Sequence, residues 1–150
     1  MVTIKRGDLL EATETVIAHQ VNCFGIAGGL AAAVFKKYPD AENDYQQIVN
    51  RFPYKNMLLG LAVMTGQQKD GHIICNLFGQ MNPGADYNPA ALRKALTLLA
   101  DIAKSGGYSV ALPYKLSCGI AGGNWDEVQA IIGHTMEGVE CVIYKRDEDE

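Results

Sequence analysis

An α/β fold, with helices covering both faces of a mixed, mostly parallel sheet, follows from three features of the sequence. Short β-type runs alternate with longer helical stretches. Two helix starts carry clear capping signals. Several β-type runs, such as Ile73-Ile74-Cys75, are apolar throughout rather than alternating, which suits strands covered on both faces.

The strands fall in order at residues 2–5, 15–21, 58–65, 72–78, 107–113 and 140–144, the middle pair separated by a polar stretch ending in Asp70-Gly71. A first helix is expected at about residues 28–37 and a second at 40–51, starting at Asp40 after Pro39, with Glu42 and Asp44 near its positive end. Asn88-Pro89 supplies an N-cap and a proline at the first helical position, and Leu92, Ala95, Leu96, Leu99, Ile102 and Ala103 continue as one apolar stripe. Asn124 with Glu127 has the form of a capping box, followed by Val128, Ile131, Ile132, Thr135 and Met136 on one face. The layers read as a three-layer α/β/α sandwich formed by residues 1–145, with residues 146–150 as an acidic tail.

The 150 residues include 13 basic and 17 acidic side chains, a formal charge of −4. Asp147-Glu148-Asp149-Glu150 account for the whole excess, so the body is neutral. A neutral body without a basic stripe argues against groove binding to nucleic acid. No apolar run reaches the roughly 18 residues a membrane span needs. Cys23, Cys75, Cys118 and Cys141 lie far apart with no paired metal-ligand spacing, and the amino terminus has no secretory pattern. Reduced thiols, no metal, no cofactor and a cytoplasmic location are expected.

Glycine is in excess, at 16 residues, and six of these occupy one string that occurs twice. Gly25-Ile26-Ala27-Gly28-Gly29 follows the second strand, and Gly119-Ile120-Ala121-Gly122-Gly123 follows the fifth. Each leads from a strand's carboxyl end into a helix, where open α/β sheets bind ligands and unpaired N–H groups favour an anion. Either string alone is explained by a tight turn. As an identical pair they read as a cradle for a phosphorylated ligand, with a diphosphate between them. The chain has no G-x-x-x-x-G-K-[ST], no G-x-G-x-x-G and no G-x-S-x-G, which excludes a P-loop and makes Ser117 a poor hydrolase nucleophile.

Gly7-Asp8-Leu9-Leu10, the run from Ala18 through His19, Gln20, Val21 and Asn22 to Cys23, and the stretch from Pro113 to Trp125 together resemble a macro domain over about residues 2–145. The surroundings of His19, Asn22, Cys118-Gly119 and Trp125 are most similar to the branch of ADP-ribose-1″-phosphate phosphatases and ADP-ribosyl-glutamate or DNA hydrolases. The resemblance implies ADP-ribose, free or on a macromolecule, as ligand. It places the Asp8 carboxylate on the adenine amine, with the Leu9 backbone on the neighbouring ring nitrogen. It places Asn22 on the distal ribose, and Ser117, Cys118, Gly119, Ile120, Ala121, Gly122 and Gly123 around diphosphate and ribose, facing Gly25, Gly28 and Gly29.

Ordinary roles stay open for two of these residues: Asp8 as a turn residue and Asn22 as a strand-end group bonded to backbone. Asn22 and His19 are the candidates for chemistry, although strand alternation turns His19 away from Gln20 and Asn22 and favours a structural role. Tyr144 and Arg146 are candidates to border the adenine, with core packing and solvent exposure the favoured readings.

The sequence departs from the branch in two ways. Its first loop is a residue short, and the lysine and aspartate of glutamate-specific hydrolases are replaced by Gly79 or Gln80 and by Ala121, which supply neither nucleophile nor acid. The expected function is therefore ADP-ribose binding, with hydrolysis of ADP-ribose-1″-phosphate or an ADP-ribosyl ester as a further layer. A non-catalytic binding module and another nucleotide-diphosphate hydrolase are the alternatives.

Overall fold

A computed structural model describes residues 1–147; Glu148, Asp149 and Glu150 of the expected tail lie outside the described residues. Six strands, β1 (Val2–Arg6), β2 (Val16–Val21), β3 (Ala62–Met64), β4 (Ile73–Phe78), β5 (Val110–Pro113) and β6 (Cys141–Lys145), form one sheet in the order β1-β6-β5-β2-β4-β3. Every pairing is parallel except β3 with β4. The helices are α1 (Gly29–Lys37), α2 (Pro39–Arg51), α3 (Pro89–Gly106) and α4 (Trp125–Thr135).

Strand alternation divides the core. Val16, Ala18, Cys75, Leu77, Leu112 and Ile143 pack against α3 and α4, while Ile17, Val21, Ile74, Phe78 and Ala111 pack against α1 and α2. The fully apolar strands are explained by this double coverage. All four cysteines are free thiols.

Boundaries moved where glycine or proline chemistry overrode the apolar pattern. The expected strand 58–65 shrinks to β3, because Gly60 takes φ +89° and bonds Phe78 O at 2.8 Å while Leu58 drops into the core. β5 starts at Val110 rather than 107, because Gly107 at φ +69° is the left-handed cap of α3. Helix α2 begins one residue early, with Pro39 as its first residue.

His19 lies on the α1/α2 face, 1% exposed, edge-on to Phe35, with Nε2 2.6 Å from Asn76 Oδ1. The Asn76 amide in turn donates to Ala41 O at 3.1 Å, so its oxygen faces the imidazole and fixes the proton on Nε2. Nδ1 is buried without a partner. Burial therefore lowers the imidazole pKa from 6.5 to about 4, against an opposing contribution from the Asn76 bond.

Between these values the unfolded chain takes a proton that the folded chain refuses. Stability from His19 is thus complete above pH 6.5 and is lost as pH falls toward about 4. In urea titrations at about pH 7.5 and about pH 4.5, the native chain should lose about 2–3 kcal/mol more than His19→Gln, at about 1.36 kcal/mol per pKa unit. Equal losses would show that the imidazole does not set this dependence.

Candidate functional site

A cleft of about 470 Å³ opens at the carboxyl ends of the parallel strands. Its volume lies within the usual range for small-molecule sites. At the β1/β6 end it is walled by Asp8, Leu9, Tyr144 and Arg146; at the β2/β4 end by Gln20 and Gln80. Between them stand Gly28, Gly29 and Leu30 on one side and Ser117, Gly119, Ile120 and Ala121 on the other. A larger, more open groove of about 590 Å³ runs between α3 and α4 past Arg93, Lys94 and Ile131. It includes neither glycine loop, so volume alone does not mark the site.

The first wall is the start of α1. Gly28, in extended conformation at φ −142°, is the N-cap and supplies no side-chain bond. By contrast, Asn88 accepts from Ala91 N to cap α3, and Asn124 accepts from Glu127 N to cap α4. The first-turn N–H groups of α1 therefore open on the cleft at the positive end of the helix dipole, with no acidic residue in that turn to offset it.

Asn22 and Tyr45 hold this loop from behind. Asn22 donates to Ile26 O at 2.7 Å and accepts from Phe24 N at 2.9 Å. The Tyr45 hydroxyl lies 2.7 Å from Asn22 O and 2.9 Å from Asn22 Oδ1, and it accepts from Gly25 N at 3.1 Å. Burial raises the Tyr45 phenol to about 12, so it stays protonated and able to donate.

The second wall is a loop pinned at its neck. Gly123 N donates to Ser117 O at 2.8 Å and Gly122 N to Gly119 O at 3.1 Å, with Gly122 at φ +80°. Among the described residues, no hydrogen bond engages the N–H groups of Gly119, Ile120 or Ala121. The walls meet through Ile120, whose Cδ1 lies 3.5 Å from the place a Cβ on Gly29 would occupy. The 79–88 loop ties both together: Cys23 N donates to Met81 O and Tyr87 N to Ala121 O, each at 3.0 Å.

Of the residues singled out in the sequence, Asp8, Leu9, Gly28, Gly29, Ser117, Gly119, Ile120 and Ala121 line the cleft. Gly25, Asn22, Cys118, Gly122 and Gly123 stand behind it, where they shape the loops. The two candidates for chemistry are redirected. The Asn22 amide faces its own loop, and His19 is neutral on the far side of the sheet from Gln20, facing α1 and α2. Asp8 caps the turn Leu9–Glu11 by accepting from Leu10 N at 2.9 Å, and a carboxylate keeps further lone pairs for a ligand.

Tyr144 borders the cleft as well as packing in the core, its hydroxyl bonded to Glu14. Gln20 and Gln80 were missed. For Gln20 the signal was its two-residue spacing from Asn22; for Gln80 it was the match of Gly79 or Gln80 to the lysine position of the glutamate-specific hydrolases.

Glycine loops facing each other over parallel strand ends form a cleft whose exposed N–H groups suit an anion. The Macro domain family profile matches residues 12–132, and the chain belongs to that family. It is 28% identical to the ADP-ribose 1″-phosphate phosphatase of Lodderomyces elongisporus, over 97% of this chain and 100% of that protein. It is 30% identical to a segment of polyprotein P1234 of Venezuelan equine encephalitis virus (strain 3880), covering 96% of this chain but only 6% of the polyprotein. The macrodomain of Mycobacterium tuberculosis DarG superposes with a TM-score of 0.85 at 26% identity, over 96% of this chain and 97% of that one.

The loop geometry separates two glycines. A Cβ on Gly123 would lie 2.5 Å from Ser117 O, whereas one on Gly28 would meet nothing within 4 Å. Gly123→Ala should lower the unfolding free energy by about 1–3 kcal/mol and Gly28→Ala by less than about 0.5 kcal/mol, read by chemical denaturation. Equal effects would contradict the pinned neck.

Proposed function

We propose that this chain binds ADP-ribose or a close derivative, lying with adenine at Asp8, diphosphate between the two walls and distal ribose toward Gln20 and Gln80. The observation that carries the reading is the pair of N–H sets without hydrogen bonds among the described residues, one at the α1 start and one at Gly119–Ala121, on the two walls of the cleft. Neutral donors of this kind hold a diphosphate without a basic patch, which agrees with the neutral body of the sequence. Asp8 supplies the base preference, since a carboxylate accepts from an adenine amine and cannot donate to a guanine carbonyl. The relationship to an ADP-ribose 1″-phosphate phosphatase supports the same ligand class.

That relative also supports hydrolysis of ADP-ribose-1″-phosphate, or of an ADP-ribosyl ester, as a second reading. Gln20, Gln80 and the Ser117 hydroxyl bonded to Gln20 bring neutral groups to the distal end, and Lys115 adds an amine to the cleft lining. Turnover there depends on a water held by amide and backbone groups together with the substrate's own phosphate. Incubation with ADP-ribose-1″-phosphate separates the readings, because released phosphate marks an enzyme and stoichiometric binding without product marks a reader.

Calorimetry with ADP-ribose, ADP, AMP and GDP-ribose should show ADP-ribose bound best. Asp8→Ala should cost about 1–3 kcal/mol for the adenine ligands and leave GDP-ribose unaffected. Gly28→Ala, harmless to the fold, should weaken ADP-ribose by placing a methyl group in the cleft. Absence of ADP-ribose binding at millimolar concentration would overturn the assignment.

A further inference from the structure

At the β2/β4 end of the cleft three side chains form a hydrogen-bonded chain whose direction is fixed. Gln80 Nε2 lies 2.6 Å from Asn82 O and 3.0 Å from Gly84 O. Two carbonyl acceptors can be met only by an NH₂ group, so the Gln80 amide cannot be turned over. Its Oε1 therefore faces Gln20, which must present Nε2, at 2.6 Å. Gln20 Oε1 then points at Ser117 Oγ, and Ser117 must be the donor. Gly79 makes room for this chain, because a Cβ there would overlap Gln20 Oε1. Gln80 and Ser117 are 8% and 7% exposed, while Gln20 between them is half-buried and lines the cleft.

A serine hydroxyl has one proton and two lone pairs. With the proton given to Gln20, Ser117 offers the cleft only lone pairs. A phosphoryl oxygen also offers only lone pairs, whereas a sugar hydroxyl can donate. Asp8 follows β1 at one edge of the sheet, and Gln80 follows β4 near the other, so this wall stands at the far end from Asp8.

We propose that the Gln80–Gln20–Ser117 chain fixes Ser117 Oγ as an acceptor at the distal end of the cleft, where it selects a sugar hydroxyl over a phosphoryl oxygen. This rests on the assignment of the cleft to ADP-ribose. Ser117 is the specificity residue, and Gln20 and Gln80 are positioning residues that set its polarity.

The test measures dissociation constants for ADP-ribose and ADP, which share adenosine diphosphate and differ by the distal sugar. Ser117→Ala should weaken ADP-ribose about fivefold, the equivalent of about 1 kcal/mol, and leave ADP unchanged. Gln20→Met frees the Ser117 proton to turn toward a phosphoryl group, so ADP should tighten relative to ADP-ribose by a similar factor. Thermal unfolding of both variants shows that they fold. If the native chain binds ADP-ribose and both variants shift the two ligands together, or shift neither, the polarity rule is wrong while the ligand assignment stands. A native chain that binds neither probe overturns the assignment and this inference with it.

Discussion

The rest of the structure depends on one unmet requirement: backbone N–H groups left without partners at the carboxyl edge of the sheet. α1 starts on glycine with no capping side chain, and in the Gly119–Ala121 loop the N–H groups have no hydrogen bond among the described residues. Such groups are costly to remove from water unless an acceptor replaces the water. In the proposed complex a diphosphate would do so from both sides at once, with the helix dipole adding to the attraction. The body of the chain is neutral, and Lys115 and Arg146 join the main-chain N–H groups in the cleft lining.

Keeping such groups aimed requires a rigid surround, and most polar side chains near the cleft serve that purpose. Tyr45 and Asn22 brace the first loop from the α2 side, while Gly123 N to Ser117 O closes the neck of the second. The 79–88 loop bonds to both and so sets their separation. On the opposite side of the sheet from α3 and α4, His19, Asn76 and Ala41 O form a buried polar chain that links β2 and β4 to α2, at the cost of a pH-sensitive imidazole. The cleft is thus shaped by hydrogen bonds set behind its lining.

Local chemistry was legible in the sequence. Asn88 and Asn124 announced their helices because a cap is a short-range device, and the repeated glycine string located both walls because strand-to-helix turns need bare backbone. Gly60 and Gly107 were misread as parts of strands, since apolar neighbours hid the positive φ that ends pairing. Asn22 was visible as a polar residue at a strand end, but its direction was settled by Tyr45, twenty-three positions away. Gln20 and Gln80 were hidden for the same reason. What had no local mark was their pairing, because only the fold places the two amides and Ser117 side by side.

Ligand binding by two sets of main-chain N–H groups leaves a residue-specific signature. Amide-resolved NMR titration with ADP-ribose tests it most directly. The largest shifts should fall at the amides of residues 28–30 and 119–121, with those lining the α3/α4 groove unmoved. Shifts concentrated at Arg93, Lys94 and Ile131, or absent from both glycine loops, would contradict it.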